Sequence, residues 1–203
     1  MPMKCLKKGL SVLLSLVLCG SMVAPAFAAS FTDLQNAISD DFSGNPDYEA
    51  PVGTLMGDGR YGYGDQIEDT QKYEIEAWDD ENGARNIDVN ADITYDPSED
   101  DIYATIHVGG GKDVILDLGG HTITGTSDNS VFFIKEGIPN DEDPRETTNP
   151  GELNISNGTI IGGTDADKGP FDRGENATVN QNDTKVNPTP TPEPTPAPEP
   201  TPT

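Results

Sequence analysis

The chain has 203 residues, of which 36 are acidic and 12 are basic, so its formal charge is −24. A field of this sign repels nucleic acid and anionic membranes, which excludes both as expected partners. The only cysteines, Cys5 and Cys19, lie in the amino-terminal leader described below, so the rest of the chain has no disulfide and no thiolate chemistry. Aliphatic residues concentrate between Ile87 and Gly162, which indicates one modest core with acidic flanks.

Residues 1–28 have the three parts of a removable signal peptide. Three lysines form its basic start: Lys4, Lys7 and Lys8. Leu10–Val23 is an apolar run that is too short for a stable membrane span. Ala26-Phe27-Ala28 then supplies a small-x-small cleavage pattern, so we expect cleavage after Ala28.

Two alternatives to cleavage are a retained anchor helix and a lipid attached at Cys19. The bulky Leu18 disfavours the lipid, because the attachment motif needs a small residue directly before the cysteine. We therefore predict a secreted, extracellular protein, released or associated with the cell wall, with no transmembrane segment in the mature chain.

Residues 29–44 predict a short helix, spanning 30–42, that caps the core. Thr32 and Gln35 match a capping box. Four apolar residues recur at helical spacing: Leu34, Ala37, Ile38 and Phe42. A small helix with one apolar face has to dock, and the open end of a sheet is the natural place.

Residues 45–86 predict a loop-rich insertion, because glycine and aspartate cluster in turn-forming patterns. One short strand is indicated by the alternation of Tyr73, Ile75 and Ala77. The aromatic side chains of this segment are candidates for stacking on sugar rings: Tyr61, Tyr63 and Trp78. The alternative is that these aromatic side chains pack locally over the edge of the core.

Residues 87–165 predict the β-rich core. Between Ile87 and Gly162, isoleucine outnumbers leucine by 11 to 3, which favours strands over helices. Apolar residues alternate in short runs, and glycine pairs such as Gly119-Gly120 separate the runs.

An internal repeat lies within this core. Leu116–Gly125 aligns without a gap with Leu153–Gly162, and four of the ten positions are identical. Glu136–Pro150, rich in charge and proline, is interpreted as a loop extruded between the copies. The segment Ile87–Tyr95 is a weaker third copy.

Two arrangements explain this repeat. In the first, the copies stack as parallel strands, with equivalent apolar side chains on one side and about 4.8 Å between strands. In the second, Val114–Leu118 and His121–Thr124 pair as an antiparallel hairpin across Gly119-Gly120. Stacking is favoured, because it explains why the whole ten-residue unit recurs.

The segments Val114–Gly125 and Gly151–Gly163 resemble the opening rungs of right-handed parallel β-helix proteins of the pectin-lyase-like type. Phe31–Ile38 is similar to the helix that caps such domains. The resemblance implies an all-β fold: a short right-handed parallel β-helix of two to three rungs, an amino-terminal capping helix and disordered flanks. The family includes polysaccharide lyases and hydrolases as well as non-catalytic surface and adhesin-like proteins, and the resemblance suggests a bacterial, Gram-positive setting.

The carboxyl-terminal part predicts no core. Residues 166–187 are interpreted as an acidic, polar linker. Residues 188–203 hold eight of the chain's 17 prolines, alternating with Thr, Glu or Ala. Such a Pro/Thr-rich tail adopts extended polyproline II and is expected to be disordered.

No catalytic group is readable. His121 is expected at a corner of the repeat, and its counterpart in the other copy is Gly158. The candidate calcium ligands are three aspartates: Asp165, Asp167 and Asp172. An EF-hand loop would also need a ligand at Gly169, a glycine at Pro170 and a glutamate at Asn176, so that pattern fails. We expect no cofactor other than calcium at this position.

The function that these features predict is a non-catalytic, extracellular β-solenoid module, adhesin-like or glycan-binding. Its expected partner is an extracellular polysaccharide or a host surface. The alternative is an amino-terminal fragment of a β-helix polysaccharide lyase or hydrolase whose catalytic rungs lie outside this chain. The oligomeric state is left open.

Overall fold

The computed structural model describes residues 29–43, 49–100, 104–137 and 149–187. In these ranges the chain is mostly β, with one helix and parallel strands in its sheets. The all-β prediction is therefore confirmed. The signal peptide with its cleavage site at Ala28, and the tail 188–203, lie outside the described residues.

The helix, α1, spans Phe31–Ser39. Its capping box is formed by Ser30 and Asp33, because the Ser30 hydroxyl accepts the Asp33 N–H at 3.0 Å and the Asp33 carboxylate accepts the Ser30 N–H at 3.1 Å. The predicted box at Thr32 and Gln35 is therefore wrong. Four side chains form the buried stripe: Phe31, Leu34, Ala37 and Ile38. Phe42 lies beyond the helix and stacks on another ring.

The first four strands pair with one another in succession, each antiparallel to the one before: β1 (Thr54–Leu55), β2 (Tyr61–Gln66), β3 (Tyr73–Asp79) and β4 (Arg85–Val89). The strand predicted at Tyr73 is confirmed, and the segment 45–86, predicted as a loop-rich insertion, also contains β1, β2 and the start of β4. These strands form because Tyr63, Ile75 and Ala77 face one side and are buried in the core. Burial of that face stabilises the strands despite the glycines.

The remaining strands run in successive groups that we call tiers. Tier 1 contains β4, β5 (Ile93–Thr94) and β6 (Ile106–Val108), and tier 2 contains β7 (Asp113–Asp117), β8 (Thr122–Thr124) and β9 (Phe132–Ile134). Tier 3 contains β10 (Glu152–Ile161) and β11 (Phe171–Arg173), and tier 4 is β12 (Thr178–Asn187).

Equivalent strands of neighbouring tiers pair in parallel. β4, β7, β10 and β12 are neighbours in that order, and β6, β9 and β11 form a second, smaller sheet. The first half of β10 pairs with β7 and its second half pairs with β8, with Asn157 (φ 56°) between the halves. Because β7 and β8 both pair with β10 in parallel, the antiparallel hairpin is ruled out.

The register corrects half of the gapless repeat alignment. Ile123 pairs with Ile160 as aligned, but Leu116 pairs with Ile155 rather than with Leu153. The cause is the length of the corner. Four residues, Leu118–His121, separate β7 from β8, whereas only Asn157 and Gly158 separate the two corresponding halves of β10. A shift of two residues preserves which side chains face inward.

The weaker third copy of the repeat is confirmed. Ile87 pairs with Leu116, and Ile93 pairs with Ile123. Two columns of buried aliphatic side chains therefore run through three tiers: Ile87, Leu116 and Ile155, and Ile93, Ile123 and Ile160.

The segment predicted as a linker, 166–187, instead contains β11 and β12. Val186 of β12 pairs with Ile160 of β10 and extends one of the two apolar columns, whereas Val179 pairs with Leu153, which in turn pairs with the buried Val114. The polar residues between the two valines obscured this strand, although these valines and its threonines suit a pleated surface.

The free edge of β6 in tier 1 is covered by a side chain of α1. The Gln35 amide donates to the His107 carbonyl at 3.0 Å and accepts the His107 N–H at 2.6 Å. Gln35 therefore replaces the backbone of a neighbouring strand, and this role explains why it does not serve as a capping residue.

Replacing Gln35 by leucine is expected to lower the free energy of unfolding by about 1–3 kcal/mol, because it leaves the half-buried His107 N–H and carbonyl without partners. Urea denaturation of the purified mature chain measures this change. Gln71→Leu, at an exposed position, is the matched control and should change little. Equal stability of both variants would contradict the edge-covering role.

Candidate functional site

The outward face of the large sheet carries one row of side chains across five neighbouring strands. Strand register places these residues side by side: Trp78, Asn86, Ile115, Asn154 and Asn180. We call this set the amide row. Ile115 is 38% exposed although it is a large apolar residue, and Trp78 is half-buried. The row therefore combines apolar surface at Trp78 and Ile115 with three amides, two of which are neighbours at the β12 end, the amide end of the row.

Arg60 holds the Trp78 ring in place. Its guanidinium lies 5.0 Å from the ring centroid, in cation–π geometry. Glu76, which is buried, accepts from Arg60 at 2.9 Å, and Asp88 lies 3.6 Å from the same guanidinium. Glu76 and Asp88 thus balance the charge of Arg60, whose guanidinium is partly exposed next to the indole.

The amide end of the row is linked by hydrogen bonds between strands. The Asn180 amide donates to Asn154 Oδ1 at 2.8 Å and to Glu152 Oε1 at 3.0 Å. The Asn154 amide donates to Asp113 Oδ1 at 3.2 Å. These bonds orient the amides and partly balance the carboxylates beside them.

Carboxylates on neighbouring strands flank the amide row. Burial raises the pKa of Asp88, and Asp117 on the next strand raises it further while Arg60 opposes the shift. Burial also raises the pKa of Asp113, and the neighbouring Glu152 adds to the effect. The face is therefore anionic and would repel a polyanionic ligand.

The structure separates the three predicted stacking residues. Tyr63 is 3% exposed and its hydroxyl donates to Asp40 Oδ2 at 2.8 Å, so the ring is not available to a ligand. Burial and Asp40 raise the pKa of that phenol. Tyr61 stacks on Phe42 with 4.3 Å between ring centroids. Both tyrosines therefore pack locally against the protein, which was the alternative to sugar stacking. Of the three predicted residues, Trp78 lies on the outward face of the sheet.

The three predicted calcium ligands line one groove of about 590 Å³ over the smaller sheet. The groove floor includes His107 and Phe133, whose rings are 5.5 Å apart. Lys168 is paired with Asp172 at 2.6 Å, so a cation there would have to compete with an ammonium group. Within the described ranges, no three His, Cys, Asp or Glu side chains are grouped to hold a metal ion. The calcium site at Asp165, Asp167 and Asp172 stays a prediction.

The two histidines are placed differently. His121 lies at the corner before β8, with Nδ1 3.5 Å from Asp92 Oδ1. His107 is half-buried in β6, and burial lowers its pKa, so it is mainly neutral near pH 7. Neither pairs with a nucleophilic side chain among the described hydrogen bonds.

The amide row was missed from the sequence. Its members alternate with buried residues and can be recognised only when the strands are aligned in their true register. The two-residue shift between Leu116 and Leu153 hides the juxtaposition of Ile115 with Asn154.

No family model matches the chain, and the searches of curated proteins and of solved structures give no match either. Within the part of the chain that the structure describes, no helix is long and apolar enough to cross a bilayer.

Asp113→Asn is expected to stabilise the fold near neutral pH. The raised pKa of Asp113 means that its ionised form is disfavoured in the folded state. The ionised carboxylate therefore lowers the free energy of unfolding at pH values above the pKa that Asp113 has in the folded chain. The gain should vanish below the usual aspartate pKa of about 3.9, where both variants are neutral at this position. Urea denaturation across this pH range measures the difference.

Asp96→Asn is the control with the opposite sign, because hydrogen bonds from Ser98 lower the pKa of Asp96. It should lose stability near neutral pH and recover at low pH. A pH-independent effect of Asp113→Asn would contradict the electrostatic account.

Proposed function

We propose that the chain is a secreted, non-catalytic surface module whose outward sheet face binds an extracellular polysaccharide. The observation that carries the proposal is the amide row, in which an indole and an exposed isoleucine share one sheet face with three amides on neighbouring strands. Sugar rings combine an apolar face with hydroxyl groups. An aromatic ring offers the apolar contact, and amides and carboxylates offer paired donors and acceptors.

The dimensions and charge of this face narrow the ligand class. Neighbouring strands are about 4.8 Å apart, so five of them span roughly 19 Å, which suits several linked sugars. The carboxylates of Asp88, Asp113, Asp117 and Glu152 disfavour uronic acid polymers. We therefore propose a neutral or amino-sugar polysaccharide.

The fold that we propose for this module is a short right-handed parallel β-helix of the pectin-lyase-like type. The repetition of strands in parallel tiers supports it, as does the helix that covers the first tier. The amino-terminal part of a polysaccharide lyase or hydrolase would share this fold. The two alternatives differ in one observable property, because the enzyme would cleave the polymer and the binding module would not.

Affinity electrophoresis of the mature chain through gels that contain neutral, amino or uronic polysaccharides tests the proposal. Trp78→Ala should weaken retardation by the bound polymer about tenfold, equivalent to about 1.4 kcal/mol. Asn154→Ala should weaken it less, because it removes polar contacts only.

Phe133→Ala is the matched control, because it truncates a half-buried aromatic residue on the other sheet. Equal binding by Trp78→Ala and Phe133→Ala would contradict the site. A fall in polymer length during incubation would instead support the enzyme alternative.

A further inference from the structure

Strand β12 is the last described strand of the large sheet. One of its edges is hydrogen-bonded to β10 over almost its whole length, and no described strand pairs with the other edge. The opposite end of the stack is different, because β3 pairs with β4, Ala29 bridges to Ile93, and Gln35 covers β6. Within the described ranges, only the β12 end is left without a covering element.

Two rows of stacked apolar side chains reach β12, one from Val114 through Leu153 to Val179 and one from Ile123 through Ile160 to Val186, and both are only partly shielded there. Val179 and Val186 are half-buried, whereas their partners Leu153 and Ile160 are fully buried. A long edge strand without proline is a ready template for pairing with another strand. The sequence that follows, 188–203, has proline at about every second position and therefore lacks the N–H groups that a full ladder needs.

We infer that the free edge of β12 pairs with β12 of a second copy of this chain, antiparallel and around a two-fold axis. Four side chains of β12 face inward, as the register with β10 shows: Val179, Gln181, Thr184 and Val186. One two-fold arrangement over the whole strand keeps this set facing inward. It places Val179 opposite Val186 of the second copy and Gln181 opposite Thr184.

The bend of β12 fits this arrangement. Asp183 adopts a positive φ of 50°, in line with the bend at Asn157 in β10. The two-fold axis passes between Asn182 and Asp183, so the arm 178–182 of one copy lies on the arm 183–187 of the other. Each arm has five residues, and the two bends coincide.

The charges of β12 are compatible with self-pairing. The strand carries one acid and one base, Asp183 and Lys185, and is neutral within a strongly acidic chain. In the inferred register, Asp183 faces Asn182 of the second copy and Lys185 faces Asn180. No acid faces an acid, and the two symmetric valine pairs give the interface apolar contacts next to the buried Leu153 and Ile160. This self-complementarity favours a second copy over an unrelated partner.

Sedimentation analysis of the full mature chain over a range of concentrations tests the inference, with a dimer as the expected product. Asn182→Asp places a like charge opposite Asp183 at two symmetric positions, so the dimer dissociation constant should rise about tenfold. Adding Asp183→Asn to that variant exchanges the two residues. The double variant keeps the net charge of the wild type and should regain its dissociation constant.

Asn129→Asp, on an exposed loop away from β12, controls for the change in net charge. It should leave the dissociation constant close to that of the wild type. A chain that stays monomeric at its highest soluble concentration would overturn the inference. So would equal effects of Asn182→Asp and Asn129→Asp, or failure of the double variant to recover. Trp78→Ala should not affect dimerisation, so this test and the polysaccharide test fail independently.

Discussion

The fold depends on contact between equivalent aliphatic side chains in neighbouring parallel strands. Ile87, Leu116 and Ile155 form one such column, and each of them is essentially inaccessible to solvent. No tier can bury its apolar side alone, so each tier is stable only against the next one. The large sheet, the positions of the corners and the outward amide row all follow from keeping these columns in register.

A stack of this kind needs its first tier to be covered, and Arg85 contributes several of the polar contacts there. Its side chain is 3% exposed and donates to the carbonyl groups of Ala37 and Asp40 at 2.6 and 2.7 Å. Its guanidinium also pairs with Asp79 at 2.6 Å and lies 3.8 Å from the Phe42 ring centroid. Arginine suits this position because its planar fork serves several acceptors at once. The carbonyls at the end of α1 are thereby linked to the sheet.

The sequence predicted the parallel stacking and the helix, because alternation and helical spacing are local patterns. It failed where a distant partner decides the structure. Tyr63 is buried because Asp40 accepts its hydroxyl group, and β12 forms because β10 already offers a paired edge. Of the candidate site, only Trp78 was predicted. Its neighbours in the amide row become adjacent only through strand register, which the shift between Leu116 and Leu153 concealed.

Disulfide trapping tests the register most directly, since both native cysteines lie in the predicted signal peptide. Ile115 is the register partner of Asn154, whereas the gapless alignment would place it opposite Glu152. Cysteines at directly paired positions are close enough to bridge, but positions offset by two residues are about 7–8 Å apart. The Ile115→Cys/Asn154→Cys variant should form an intramolecular disulfide under mild oxidation, and Ile115→Cys/Glu152→Cys should not. Bridging of the second pair, or of neither pair, would contradict the stacked arrangement described above.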